Sequence, residues 1–537
     1  MKLNAPTILA VVGFCTLALG LLCSNFIFPK LGQYLIDKET ALQEGNKAFE
    51  SWKKIPFPFK FKIYFFNVTN ADDVQTGSSP IFKEIGPYIY DEFREREILS
   101  INEENDTIRY TQRKTYFFNE EESGCRSDTD IVTIINTAVV GIANKINKIA
   151  PMALTMINDA LPFLYPGIQN IFTTDSVRNI LFDGLKMSCD SEETEMICDS
   201  LSSKRPHTIR MADNNRDYLV SLFYHLNGTE DGPYEIGRGF KNTVKGKVVS
   251  FKENSMLEQW GGDSCNTIKG TDLTVNPNLG DPPKDVEFFA SDFCRSFVAS
   301  FDKEMDHLGL RTYTFKSENL FVNKENCFCG KESADHEELP LCTPAGTMDI
   351  TPCTGSSVVI SQPHFLNAGK SLLKFARGLT PNKNKHGTFI AMEPKTGLAL
   401  IVKSRFQMNI FLQRYEAVDL LSNVSEGVFP FIWLEEGAEV PAEIIEEIRN
   451  NFSKLKIFDV LKYILIVVGI ILMGFSVILA MIKDKVFCFI TNKNSVSVNK
   501  NDQLGKFDVY SHLKMNNASL VNPWENNVAR HGWKISE

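Results

Sequence analysis

The sequence predicts a two-span membrane protein with a large β-rich α+β ectodomain between the spans. Three observations predict it. First, the run Ala5–Phe28 (APTILAVVGFCTLALGLLCSNFIF) carries no charge. As a helix rising about 1.5 Å per residue it reaches across the ~30 Å hydrocarbon core of a bilayer. Second, Tyr463–Ile482 (YILIVVGIILMGFSVILAMI) is equally free of charge and is followed by Lys483 and Lys485. Third, runs of aromatic and β-branched residues recur between the spans, punctuated by Gly, Pro and Asn, with no internal repeat and no long Gly/Ser linker.

Each element follows from a local signal. A cleaved secretory signal would have a shorter apolar core and a small-residue cleavage site; the first run instead ends in Phe28-Pro29-Lys30 and reads as an uncleaved anchor. Leu31–Leu42 reads as a helix continuing from it. After the turn at Pro56-Phe57-Pro58, Phe61–Val68 (FKIYFFNV) reads as a strand. Gly86-Pro87-Tyr88 marks a turn, Tyr88–Phe93 resumes a strand, and Ile108–Phe118 alternates again. The stretch Asp130–Phe172 reads as helical. It is apolar, but Asn136, Asn144, Lys145, Lys148, Asn158 and Asp159 interrupt it, as do Pro151 and Pro162. Such groups are expensive in lipid, so it reads as water-exposed helices with a wide apolar face and not as a third span. Ser176–Leu185 follows as a helix with Asp175 as N-cap. Strands are expected at Tyr218–His225, Gly246–Phe251, Arg311–Phe315, Ser356–Ser361, Thr388–Met392 and Ala399–Leu412, with a helix at Asp292–Phe297. A last helix, Ala442–Leu461, leads into the second span. Basic residues just beyond a span favour the cytoplasm, which places both termini inside a plasma membrane. The expected organisation is a short cytoplasmic N-terminus (1–4), a membrane helix (5–28), an extracellular domain (29–456), a second membrane helix (457–482) and a cytoplasmic tail (483–537).

Chemistry-bearing residues fit that topology. Asn67, Asn105, Asn227, Asn423 and Asn451 head Asn-x-Ser/Thr sequons and all fall between the spans, so they are expected to be glycosylated; Asn517 lies beyond the second span and is expected to stay bare. Of the 12 cysteines, Cys15 and Cys23 sit in the first span and Cys488 follows the second. The others lie where disulfides persist. Cys265, Cys294, Cys327, Cys329, Cys342 and Cys353 cluster, with many connectivities open. Cys189 and Cys198 form an isolated local pair, and Cys125 is left over. A zinc site at Cys327–Cys353 is not expected. The spacing is not that of short zinc-ligand loops, and the HEELP stretch has Pro340 where an HExxH motif needs its second His. No cofactor and no catalytic residue is expected: GxSxG and P-loop patterns are missing, and His364 and His386 have no evident partner in the sequence. The net charge of −9, with no basic stripe, argues against nucleic acid. The tail is polar and rich in Lys, Asn and Ser, and reads as disordered. Within it Tyr510 and Leu513 form a tyrosine-based sorting pattern, and Cys488 is placed for palmitoylation.

Several stretches, in order, resemble one family. KIYFFNVTN (62–70), IGPYIYDE (85–92), CNTIKGTD (265–272), DFCRS (292–296), CFC (327–329), PHFLNA (363–368) and MEPKTG (392–397) are similar to the class B scavenger receptors, and most of all to the insect sensory neuron membrane proteins within them. PGIQNIF (166–172) and PHTIR (206–210) look more like their second subtype than their first. Two stretches depart: Val275-Asn276-Pro277 stands where Phe-Pro-Pro is usual, and Gly378-Leu379-Thr380-Pro381-Asn382 where Gly-Leu-Asn-Pro-Asn is usual. The resemblance implies an irregular antiparallel β-barrel with a helical bundle at its apex and a lipid tunnel. It implies the pairs Cys265–Cys327, Cys294–Cys353 and Cys329–Cys342, each contributing roughly 3–4 kcal/mol in the chain-entropy model. It implies a receptor or transporter for hydrophobic, fatty-acid-derived ligands such as pheromones, with an odorant receptor and a soluble odorant carrier protein as partners. Lipid would be admitted at the apex, among Ile134, Ile135, Val139, Met152, Leu154, Met156 and Leu161, with Lys145 and Lys148 attracting a carboxylate or a carrier. A scavenger-type or carrier-docking receptor without a conduit is the competing reading.

Overall fold

The computed structural model describes residues 4–203, 205–241, 245–318, 320–321, 328 and 343–496. It divides into two units, Met1–Gly20 with Ile464–Glu537, and Leu21–Tyr463.

In the larger unit the described residues build a 13-stranded antiparallel sheet. Its middle strand is Gly427–Glu439, flanked by Phe59–Val68 and Ala399–Leu412. From Phe59–Val68 the sheet continues through the hairpin Phe82–Asn102 and Thr107–Phe118 to Glu230–Gly237 and the edge strand Val248–Phe251. On the other side it runs through Thr388–Met392, Leu310–Ser317 and Arg295–His307 to the edge strand Asp285–Ala290.

The two edges meet across a short segment. Thr271 bridges Lys247 on one side and Phe288 on the other. The Val248 N–H donates to the Gly270 carbonyl at 2.9 Å, and the Phe289 N–H to the Thr271 carbonyl at 2.8 Å. Gly270–Thr271 therefore acts as a two-residue stave that closes the sheet into an irregular barrel. Closure removes the open edge that would otherwise offer unpaired backbone groups.

Inside, alternation selects what is buried. Phe61, Ile63 and Phe65 point into one large apolar cluster with Tyr90, Tyr116 and Leu434. A second cluster gathers Trp52, Ile108, Tyr110, Tyr234 and Phe297. On the strand Phe82–Asn102, Tyr90 belongs to the first cluster and Ile98 packs on the second. Between them the same face presents Glu92, Arg94 and Arg96, a charged layer separating the two apolar regions.

Several expected helices take another form. Ile131–Ile135 is a strand paired with Phe172–Ser176, so only Thr137–Ile149 and Leu154–Leu164 of Asp130–Phe172 are α-helical. The β-branched run IVTII is what the pairing uses. Ser176–Leu185 shrinks to a single wide turn, Asn179–Asp183. Asp175 is not an α-helix cap; it accepts from the Ser176 N–H and from Asn179 Nδ2. Asp292–Phe297 is half strand: Asp292 and Phe293 lie in the short turn Ser291–Phe293, and Arg295–Phe297 open the strand Arg295–His307, paired there with Asp285–Ala290. Leu31–Leu42 runs on from the first span, ending at Thr40, after a wide turn at Cys23–Ile27. Pro29 has no N–H to give to the carbonyl four residues back, and the wide turn precedes it. Ala442–Leu461 is likewise the first part of one helix, Ala442–Val496.

Ala5–Thr40 and Ala442–Val486 are the helices long and apolar enough to cross a bilayer among the described residues. In the smaller unit they touch backbone to backbone. A Cβ on Gly469 would lie 2.6 Å from the Leu17 nitrogen, and one on Gly13 2.9 Å from the Met473 nitrogen. The Ser476 hydroxyl donates to the Pro6 carbonyl at 2.7 Å. Small residues at the contact are how helices pack in lipid, where no hydrophobic gain drives them together.

Candidate functional site

The paired strands Ile131–Ile135 and Phe172–Ser176 clamp the base of a helical hairpin. Asn136 starts its first helix by accepting from the Val139 N–H at 3.1 Å. That helix buries Val139, Val140, Ala143 and Asn144. Asn144 is a polar anchor: its Nδ2 donates to the Phe411 carbonyl at 2.8 Å, and its Oδ1 accepts from the Tyr415 hydroxyl at 2.8 Å. The second helix buries Leu154, Ile157, Ala160, Leu161 and Leu164.

The opposite side of the hairpin is apolar and exposed. Met152 is 94% exposed, and Ile149, Met156 and Phe163 are also open to solvent. Lys145 and Lys148 stand beside them, Lys148 reaching Asp349 at 3.9 Å. The seven apolar residues named from the sequence thus separate. Ile134, Ile135, Val139, Leu154 and Leu161 are core, whereas Met152 and Met156 form an adaptable outer patch.

The remaining sequence-predicted residues are scattered. Cys189 and Cys198 are bonded, with Cα atoms 6.2 Å apart, as are Cys294 and Cys353 at 5.7 Å. Cys265 is disulfide-bonded, and Cys327, Cys329 and Cys342 lie outside the described residues. Cys125 is an exposed free thiol and Cys488 is exposed. Asn105, Asn423 and Asn451 are exposed, while Asn67 and Asn227 are half-buried and use their side-chain oxygens on the Thr133 and Tyr116 N–H groups. Asn517, Tyr510 and Leu513 lie outside the described residues.

Two clusters escaped the sequence reading. In one, His364 stacks on His386 with centroids 4.3 Å apart. Glu84 accepts from His364 Nε2 at 2.6 Å and from Trp433 Nε1 at 2.9 Å. The His364, His386 and Glu84 ligand atoms lie within 4.8 Å of one another, close enough to suggest a metal site. The second contacts argue otherwise. His364 Nδ1 accepts from the Thr380 N–H and His386 Nδ1 from the Asn382 N–H, both at 3.1 Å. Each neutral ring must then carry its hydrogen on Nε2, the atom a metal needs bare. The donor set fits hydrogen bonding to Glu84 better than ligation.

His386 is held neutral to low pH. Burial, with a smaller contribution from His364, pulls His386 down to about 4, and burial with His207 does the same to His225. Above the unfolded value of about 6.5 both states are neutral. Between there and 4 the unfolded chain takes protons the folded chain refuses, so this contribution to stability is lost as pH falls. Glu92 and Asp231, whose carboxyls burial pushes up, work in the opposite direction. The comparison to make is therefore between variants. His386→Asn is expected to lose less Tm than the unchanged protein between pH 7 and pH 5, read by scanning calorimetry.

The other cluster is the charged layer. Arg94 Nε meets Glu92 at 2.5 Å and its Nη2 meets Glu436. Lys114 reaches Glu436 at 3.3 Å and Asp292 at 3.5 Å. These residues come from three strands and a turn, so no local spacing reveals them.

Comparison with known proteins adds a family. A model of the CD36 family matches residues 11–480. Sensory neuron membrane protein 2 of Heliothis virescens is 34% identical over 499 residues, covering 90% of this chain and 95% of that protein. Sensory neuron membrane protein 2 of Manduca sexta is 33% identical over 495 residues, with the same coverage. Sensory neuron membrane protein 1 of Apis mellifera is 32% identical over 476 residues, covering 87% of this chain and 90% of that protein.

Proposed function

Since this chain belongs to the CD36 family, we propose that it is a plasma-membrane receptor that captures hydrophobic, fatty-acid-derived ligands such as pheromones and delivers them to the bilayer or to a neighbouring odorant receptor. The observation that carries this reading is the exposed apolar patch of Ile149, Met152, Met156 and Phe163 on the helical hairpin. Soluble surfaces seldom keep such a patch without a partner. The termini are cytoplasmic and 29–456 extracellular, with Asn105, Asn423 and Asn451 the sequons best exposed for glycans. No catalysis is needed: the work is transfer between apolar environments, and each methylene kept out of water contributes ~0.8 kcal/mol.

The test is lipid transfer. The full chain in liposomes is expected to speed movement of a fluorescent long-chain lipid from a soluble carrier into the bilayer severalfold. Met152→Asp with Met156→Asp removes most of that gain without touching the core. Rates equal to those of protein-free liposomes would sink the proposal.

Carrier docking is the second reading, favoured by the exposed Lys145 and Lys148 beside the patch. Reversing both to Glu then weakens carrier binding and flattens its salt dependence, while transfer of carrier-free lipid is unchanged.

A further inference from the structure

Resting on the receptor reading above, we propose that Arg96 anchors the carboxylate head of a long-chain amphiphile on the Nε–Nη2 edge of its guanidinium, inside the barrel. Arg96 is 3% exposed. Its Nη1 donates to the Trp52 carbonyl, and its plane lies over Trp52 (4.8 Å) and Tyr110 (5.5 Å). Nε and Nη2 make no well-formed hydrogen bond among the described residues, although the Tyr110 hydroxyl acts on the guanidinium, and no carboxylate there comes within 4.0 Å. A guanidinium stays charged at any ordinary pH.

Its neighbours in the charged layer differ. Arg94 has Glu92 and Glu436, and Lys114 has Glu436 and Asp292. Arg405, further round the barrel, has Glu435 at 2.6 Å. Burial pushes the Glu92 carboxyl up, towards its neutral form. Arg94 and Lys114 each face carboxylates, whereas Arg96 has none within 4.0 Å among the described residues. Asp272, the other carboxylate acting on Tyr110, is committed: Oδ2 accepts from the Tyr110 hydroxyl at 3.0 Å and Oδ1 from Thr274.

The chemistry follows from the shape. The Nε–Nη2 edge offers two parallel N–H groups, which a carboxylate meets with both oxygens and an alcohol with one. The aromatic faces of Trp52 and Tyr110 exclude water and strengthen that pairing. Arg96 also lines a 570 Å³ pocket with Glu44, Lys53, Glu97, Ile98 and Ile101. Ile98 and Ile101, which pack against the Trp52–Tyr110 cluster, are aliphatic side chains of that lining which an alkyl chain would meet. Each methylene buried there is worth about fourfold in affinity.

The experiment uses the full chain in lipid nanodiscs and measures binding of hexadecanoate, hexadecan-1-ol and acetate by calorimetry. Hexadecanoate is expected to bind at least about tenfold tighter than the alcohol, and acetate not measurably. Arg96→Gln brings acid and alcohol to within about twofold of each other by weakening the acid alone. Arg96→Lys keeps the charge but loses the two-pronged edge, and most of the preference goes with it; it serves if Arg96→Gln fails to fold. Full preference in a folded Arg96 variant overturns the assignment. Acetate binding as tightly as hexadecanoate overturns it in favour of a small-anion site. If neither long-chain ligand binds the unchanged protein, the receptor reading itself fails and the site falls with it.

Discussion

Gly270→Ala is expected to destabilise the barrel by at least about 3 kcal/mol and to abolish delivery of the protein to the cell surface. Gly270 sits at φ +82°, and a Cβ there would lie 2.0 Å from the Glu287 carbonyl oxygen. The left-handed conformation alone costs an L-residue about 1–2 kcal/mol. The overlap adds a comparable amount or more, because the obstacle is backbone and cannot rotate away. The position is also where both sheet edges hydrogen-bond to one segment, so any shift that relieves the clash breaks the closure. Gly280→Ala is the control: φ is +58°, but nothing lies within 4 Å of the added atom. Surface labelling and Tm of the two variants decide the matter. Equal losses would mean that backbone conformation alone, and not barrel closure, governs the effect.

The second large effect belongs to the charged layer. Arg94→Met is expected to cost about 3–5 kcal/mol, since removing one partner leaves a buried carboxylate undercompensated. Among the described residues Glu436 would keep only Lys114 as its cationic partner, which it shares with Asp292. The guanidinium also covers the Phe59 ring at 4.0 Å, and a Met side chain replaces that contact in part. Glu92→Gln should be far milder, under about 1.5 kcal/mol, because burial already favours the uncharged carboxyl and the amide keeps its shape. Urea unfolding of both variants tests the pair. A Glu92→Gln loss as large as that of Arg94→Met would show that Glu92 is ionised in the folded protein, contrary to the direction argued from its burial.

Legibility differed by element. Thr388–Met392 and Ala399–Leu412 are strands at the boundaries their alternation predicts. The middle strand, Gly427–Glu439, was invisible. It is buried without a break from Val428 to Glu435, so both faces are covered and no period of two survives; Pro430 inside it discourages a strand reading further. Asp292–Phe297 failed for the opposite reason: a helix-like spacing of apolar residues was overridden at Arg295–Phe297 by antiparallel pairing with the preceding strand Asp285–Ala290. At the hairpin, the sequence marks an apolar face but cannot divide it. Leu154 and Met156, two residues apart, lie on opposite sides of the helix, and which side faces the core is decided by packing, which buries Leu154 and leaves Met156 exposed.

Properties written in consecutive residues could be read without coordinates. The two bilayer-length helices, the alternating strands and the isolated Cys189–Cys198 pair need only a short window, because lipid thickness, pleat and short loop closure act on neighbours in the chain. The family resemblance, too, rests on short stretches taken in order. Everything that depends on strands meeting had to wait for the fold. Gly270 looks like any turn glycine until two sheet edges converge on it. His364 and His386 have no partner until Glu84, 280 residues away from His364, arrives beneath them. Arg96 is one arginine in an alternating strand until closure of the barrel takes it out of water and leaves its charge unmatched. A buried charge is decided by what surrounds it in three dimensions, and the cost of desolvation has no signature in a linear sequence.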